Sequence, residues 1–144
     1  MALLCSYREL LSTGVWEVLA RASRSRCASP RNLRTIDARS GQVIAIPRAP
    51  ADDDVVFARI RIRQTLSERL ATLLFKRLHQ PAIQLDGKQY RLVASTATGP
   101  LILRMPRAAG MSALAGGHVD YRQLSLVNVA SYRVQFYSMK LTKP

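Results

Sequence analysis

With 144 residues, 48% of them hydrophobic, the chain can bury a core and is most simply one domain, which excludes global disorder. Its 18 Arg and 4 Lys outweigh 9 acidic residues to give a net charge of +13. Such a charge attracts polyanions, and guanidinium groups clamp phosphate in a planar, two-pronged way. No apolar run reaches the ~20 residues of a membrane-spanning helix.

In chain order, residues 1–20 read as an amphipathic helix: Leu3, Leu4, Tyr7, Leu10 and Leu11 recur at helical spacing, and Val15, Val18 and Leu19 continue the face. Cys5 and Cys27 are the only cysteines, too few for a disulfide framework or a metal site, so both are expected as free thiols in a reducing compartment, nuclear or cytoplasmic. The Arg- and Ser-bearing start loosely resembles an organelle presequence, against which Glu9 and Glu17 count. Residues 21–36 read as a basic arm or linker with no apolar period, carrying Arg21, Arg24, Arg26, Arg31 and Arg34.

A single domain is expected over 37–144. Val43 to Ile46 predicts a short strand closed by Pro47, and Val55 to Arg63 predicts the clearest strand in the chain. In its second half Ile60 and Ile62 face one way while Arg59, Arg61 and Arg63 face the other. Thr65 and Glu68 have the spacing of a capping box, opening a helix over 65–80 with the stripe Leu66, Leu70, Leu73, Leu74 and Leu78, ended by Pro81. Ile83 to Val93 predicts a hairpin about Asp86-Gly87, which suits a type I′ turn and places Leu85 opposite Lys88 and Ile83 opposite Tyr90. Further strands are expected at Leu101 to Met105, Tyr121 to Val129 and Tyr132 to Leu141, with a Gly- and Ala-rich loop over 106–119.

The side chains that carry chemistry are few. Arg59, Arg61 and Arg63 lie about 6.5 to 7 Å apart along one strand face, near the phosphate spacing of a nucleic-acid strand. With the arm arginines Arg21, Arg24, Arg26, Arg31 and Arg34, they are the expected nucleic-acid-binding residues. The paired Tyr90-Arg91, Tyr121-Arg122 and Tyr132-Arg133 suggest base stacking beside phosphate clamps, although neighbours on a strand point to opposite faces and so cannot share one site. Asp52 to Asp54 form the one acidic run, without a second acidic group to complete a metal site, and His79 and His118 stand alone. There is no Walker loop, no dinucleotide fingerprint and no aromatic RNP1 run. No catalytic residue, metal or cofactor is expected.

The segment Asp37-Ala38-Arg39-Ser40-Gly41-Gln42-Val43-Ile44, followed by Asp54-Val55-Val56 and Ile60-Arg61-Ile62, resembles the opening of the geminivirus replication enhancer proteins. The stretch from Tyr90-Arg91 through Thr98-Gly99 to Leu103-Arg104 is similar to that family's central part. The resemblance implies a small non-enzymatic nuclear viral protein that self-associates and assists DNA replication by contacting replication proteins. It assigns no binding residue.

These readings predict an α+β architecture: a mainly antiparallel, hairpin-built sheet with one packed helix (65–80) and an N-terminal helix. A jelly-roll-like or barrel β-rich domain is the alternative, because the strands are short and evenly spaced. The expected role is that of a non-enzymatic basic accessory protein in a nucleoprotein or replication assembly. Its partners would be a DNA or RNA backbone, protein components of that assembly and further copies of itself. Two alternatives are a protein-interaction module docking on an acidic partner and a structural ribosomal or virion component.

Overall fold

The computed structural model describes residues 2–13, 16–63, 81–92, 99–106 and 119–142. One short helix, α1 (Ala2–Ser6), precedes ten strands: β1 (Tyr7–Ser12), β2 (Glu17–Arg21), β3 (Arg31–Arg39), β4 (Ile44–Ala45), β5 (Asp54–Arg63), β6 (Ala82–Leu85), β7 (Lys88–Arg91), β8 (Leu101–Arg104), β9 (Gln123–Val127) and β10 (Ser131–Lys140).

The strand pairings are those of one long antiparallel ribbon wound on itself. Its tip is the β6·β7 hairpin, and back from the tip it runs through β5·β8 and β4·β9 to β3·β10. Winding brings β10 against β5 and β9 against β6, giving two four-stranded antiparallel sheets ordered β3-β10-β5-β8 and β4-β9-β6-β7. The tip has the expected register, Leu85 opposite Lys88 and Ile83 opposite Tyr90. Asp86 (φ 46°) and Gly87 (φ 79°) both take the left-handed conformation that a type I′ turn requires. The Asp86 carboxylate also accepts the backbone N–H groups of Arg122 and Gln123 at 3.0 and 2.8 Å, which pins the tip to the start of β9.

Alternation along the strands builds the core. Val56, Ala58 and Ile60 of β5, with Tyr132, Val134 and Phe136 of β10, meet Ile44 of β4, Ile83 and Leu85 of β6, and Leu124 and Leu126 of β9. Tyr132 crosses this core: its hydroxyl donates to the Gln42 carbonyl at 2.9 Å and accepts the Leu126 N–H at 3.3 Å, and burial pushes its pKa up. A buried hydroxyl of this kind is stable only because both bonds are made.

A second apolar cluster lies on the opposite, outer face of the β3-β10-β5-β8 sheet. Val55 and Phe57 of β5 and Met139 of β10 pack there with Leu4, Met105 and Leu141, and Cys5, Tyr7, Leu19 and Cys27 join from the N-terminal segment. That segment is latched by a disulfide between Cys5 and Cys27 and by a bridge of Cys27 to Leu141. Consecutive apolar residues at Val55 to Ala58 thus mark the stretch of β5 covered on both faces, while the Arg/Ile alternation after it marks a face left open.

Three expectations are corrected here. Residues 3–19 form no continuous helix; after α1 they make the β1·β2 hairpin, whose backbone hydrogen bonds and packing of Tyr7 and Leu19 outweigh a helical spacing of leucines. The basic linker is in part strand β3, because Ile36 and Ala38 of the arginine-bearing stretch pack into the core beside β10. The two thiols are joined, which removes the ground on which a reducing compartment was inferred. The helix expected at 65–80 and both histidines lie outside the described residues. What is described is almost wholly antiparallel sheet that does not close into a barrel, nearer to the β-rich alternative than to α+β.

Candidate nucleic-acid interface

The outer face of the β3-β10-β5-β8 sheet is divided in two. One end is covered by the N-terminal segment; the other presents arginines. Directly opposed residues on neighbouring strands share a face, so the register gives this surface row by row. Arg63 of β5 lies opposite Ser131 of β10 and across from Arg39 of β3; Arg61 lies opposite Arg133 and across from Asp37; Arg59 lies opposite Gln135 and across from Thr35. Arg59, Arg61, Arg63, Arg133 and Arg39 therefore stand on one face, with Asp37 the single carboxylate among the described residues there.

Asp37 organises part of this field. Arg133 grips it with two bonds, Nε to Oδ1 and Nη2 to Oδ2, each 2.9 Å, and Arg63 approaches Oδ1 at 3.5 Å. The hydrogen-bonded Arg133 guanidinium holds the Asp37 carboxyl below its ordinary range, and Arg63 adds to this; Arg133 is raised in turn by Asp37. Arg59 is placed differently: its guanidinium carbon sits 5.6 Å from the centre of the Tyr137 ring, which stacks on Phe57 at 5.4 Å. The covered apolar end thereby supports the first arginine of the open end through an aromatic ring.

Arg61 has the least favourable surroundings. It stands directly opposite Arg133, and like charges so placed destabilise a strand pair. Arg133 is compensated by Asp37, whereas no ion pair involves Arg59 or Arg61 among the described residues. An arrangement of this kind is offset by an anion that spans several guanidinium groups, which is what a phosphate backbone supplies.

The arm arginines do not join this face as a group. Arg26 is only 7% exposed; its guanidinium donates to the Tyr7 carbonyl at 2.9 Å and to the Thr142 carbonyl at 3.5 Å, so it latches the N-terminal segment and is withdrawn from phosphate contact. Arg31 and Arg34 are exposed on the edge strand β3, but they oppose Ser138 and Phe136, in the phase of the inner face. Arg21 and Arg24 are exposed at the base of the β1·β2 hairpin. Arg39, Arg133 and Asp37 were missed as site residues. The β10 alternation of Arg133 with Val134 was the available signal, but β3 had to be recognised as a strand before its partners could be read.

The other sequence candidates resolve into structural roles. Tyr132 is a core residue, while the Tyr90 hydroxyl bonded to Tyr121 raises the Tyr121 pKa, with burial adding to the rise. Asp53 pairs with Lys140 at 3.4 Å, and no metal-ligating cluster occurs among the described residues. No helix among them is long and apolar enough to cross a membrane. No family model, curated protein or solved structure matches the chain.

Proposed function

We propose that this chain is a non-enzymatic basic β-protein that binds nucleic acid along its phosphate backbone and works in a nucleoprotein or replication assembly. The observation that carries the reading is Arg61 set directly opposite Arg133, within a face of five arginines and one carboxylate. Contacts of this type go to phosphates, so binding is strong at low salt and indifferent to base sequence. A replication role of the kind implied by the geminivirus resemblance would use this same face.

The test is fluorescence anisotropy with single- and double-stranded DNA and RNA between about 50 and 200 mM salt. Replacing Arg59, Arg61 and Arg63 together by Ala is expected to lower the salt slope by about 2.7 on duplex DNA, at ~0.9 per lost phosphate contact. An unchanged slope in the folded variant overturns the assignment. Pull-down of acidic proteins that survives nuclease treatment would instead support docking of the face on protein.

A second reading, a structural component of a nucleoprotein shell, is favoured by the wound-ribbon topology. Eight strands in two sheets built this way form a jelly roll, an architecture used by viral capsid proteins and also by lectins and cupins. Sedimentation with nucleic acid tests it: discrete large particles favour a shell, and a graded series of complexes favours an accessory role.

A further inference from the structure

The β1·β2 hairpin carries a feature that the arginine face does not use. Its base is fastened to the sheet through Tyr7 and Leu19, but Leu10, Leu11, Trp16 and Val18 belong to neither apolar cluster and are exposed, Trp16 to 76%. Leu11 lies directly opposite Val18, and Leu10 is the extra residue of a bulge, so the apolar side chains gather towards one end of the hairpin. Trp16 is tied to Thr13 across the two strands: its carbonyl accepts the Thr13 N–H at 2.7 Å, and its own N–H donates to Thr13 Oγ1 at 2.9 Å.

We infer that this hairpin is an interfacial anchor that docks the protein on an anionic lipid surface. Two observations choose that occupant. The four exposed apolar side chains, about half to three-quarters exposed, offer on the order of a few hundred Å², short of the ~800 Å² per partner of a stable protein interface, so a second copy held by this patch alone would not stay bound. Cationic side chains, exposed Arg8 on β1 with Arg21 and Arg24 at the base, stand behind the apolar end. Both carboxylate oxygens of Glu17 are withdrawn from solvent, and Glu9 is half-buried. An indole ring prefers the headgroup level of a bilayer, leucine and valine prefer the acyl boundary beneath it, and arginines behind them meet lipid phosphates and carboxylates. Each arginine near such a surface strengthens partitioning about five-fold.

Trp16 is the only tryptophan in the chain, so its emission reports this hairpin without a label. The intact protein is titrated with vesicles of phosphatidylcholine alone and of phosphatidylcholine with one-quarter phosphatidylserine. The expected result is a blue shift of Trp16 emission with the anionic vesicles only. In vesicle sedimentation, Leu11→Ser with Trp16→Ser is expected to lose at least ten-fold in partitioning. Nucleic-acid affinity of that variant, expected to be unchanged, reports that it remains folded; Leu10→Ser with Leu11→Ser is the second variant and retains the fluorophore. Emission unmoved by anionic vesicles overturns the inference. So does a blue shift that follows protein concentration without lipid, which would mean that another copy covers the hairpin, or vesicle binding that survives both variants, which would assign it to the arginines alone. Loss of nucleic-acid binding in Arg59/Arg61/Arg63→Ala with the lipid response retained would separate the two surfaces.

Discussion

Strands β5 and β10 run through two regions that differ in everything except geometry. Val55, Phe57, Arg59, Arg61 and Arg63 occupy one face of β5 by the same alternation, and Met139, Tyr137, Gln135 and Arg133 occupy the matching face of β10. At one end the side chains are apolar and the N-terminal segment covers them; at the other they are mostly cationic, with the three β5 arginines exposed and Arg133 and Gln135 half-buried. The pleat decides which face a residue occupies, and side-chain chemistry decides whether that face is covered by the chain itself or left for a partner.

Substitutions at the covered end are expected to have the largest effects. Phe57→Ala removes a buried ring that contacts both the N-terminal segment and Tyr137, and is expected to cost about 3 to 5 kcal/mol in denaturant unfolding. Cys5→Ser, or reduction of the wild type, releases a cross-link between residues 22 apart, with an expected loss of about 3 kcal/mol in thermal melts with and without reductant. Because the cross-link lies at the covered end, the salt slope of nucleic-acid binding should survive reduction; a collapsed slope would show that the two ends are coupled.

Changes at the open end should act in the opposite sense. Arg61→Ala relieves repulsion by Arg133, so stability is expected to rise by ~0.2 to 1 kcal/mol, while the salt slope of duplex binding falls by about 0.9. The smallest effect concerns Asp37. Its carboxyl titrates below the ordinary value of 3.8 when folded, so its stabilising contribution is fully present above about pH 4 and is lost as pH falls through the lower folded value. Asp37→Asn should remove that part of the acid dependence, seen as a flatter stability profile below pH 4 in parallel unfolding curves.

How far the sequence disclosed this division depended on the range of the interactions. The Asp86-Gly87 hairpin and its register were legible because a type I′ turn specifies itself within a few residues. The arginine ladder of β5 was legible because alternation is local as well. Strand β3 was obscured by Arg31, Arg34 and Arg39, and its apolar members become meaningful only beside β10, about a hundred residues later. The N-terminal leucines suit either a helix or a twisted hairpin, and packing of Tyr7 and Leu19 on the sheet, which no local signal announces, selects the hairpin. Two cysteines likewise say nothing of their pairing until the fold brings them together.

The wound ribbon has a consequence for synthesis. Strand β10 lies inside its sheet, hydrogen-bonded to β3 on one side and β5 on the other, yet the ribosome makes it after the nine other described strands. At ~5 to 20 residues per second, β3 waits on the order of 5 to 20 s between its own emergence and that of its partner. During that interval the edges of β3 and β5 that will face β10 lack their native neighbour, and among the described strands only the β1·β2 and β6·β7 hairpins can close from nearby residues. Folding should therefore be late and all at once, and protection of those nascent edges by chaperones or polyanions would govern how much chain reaches the native state.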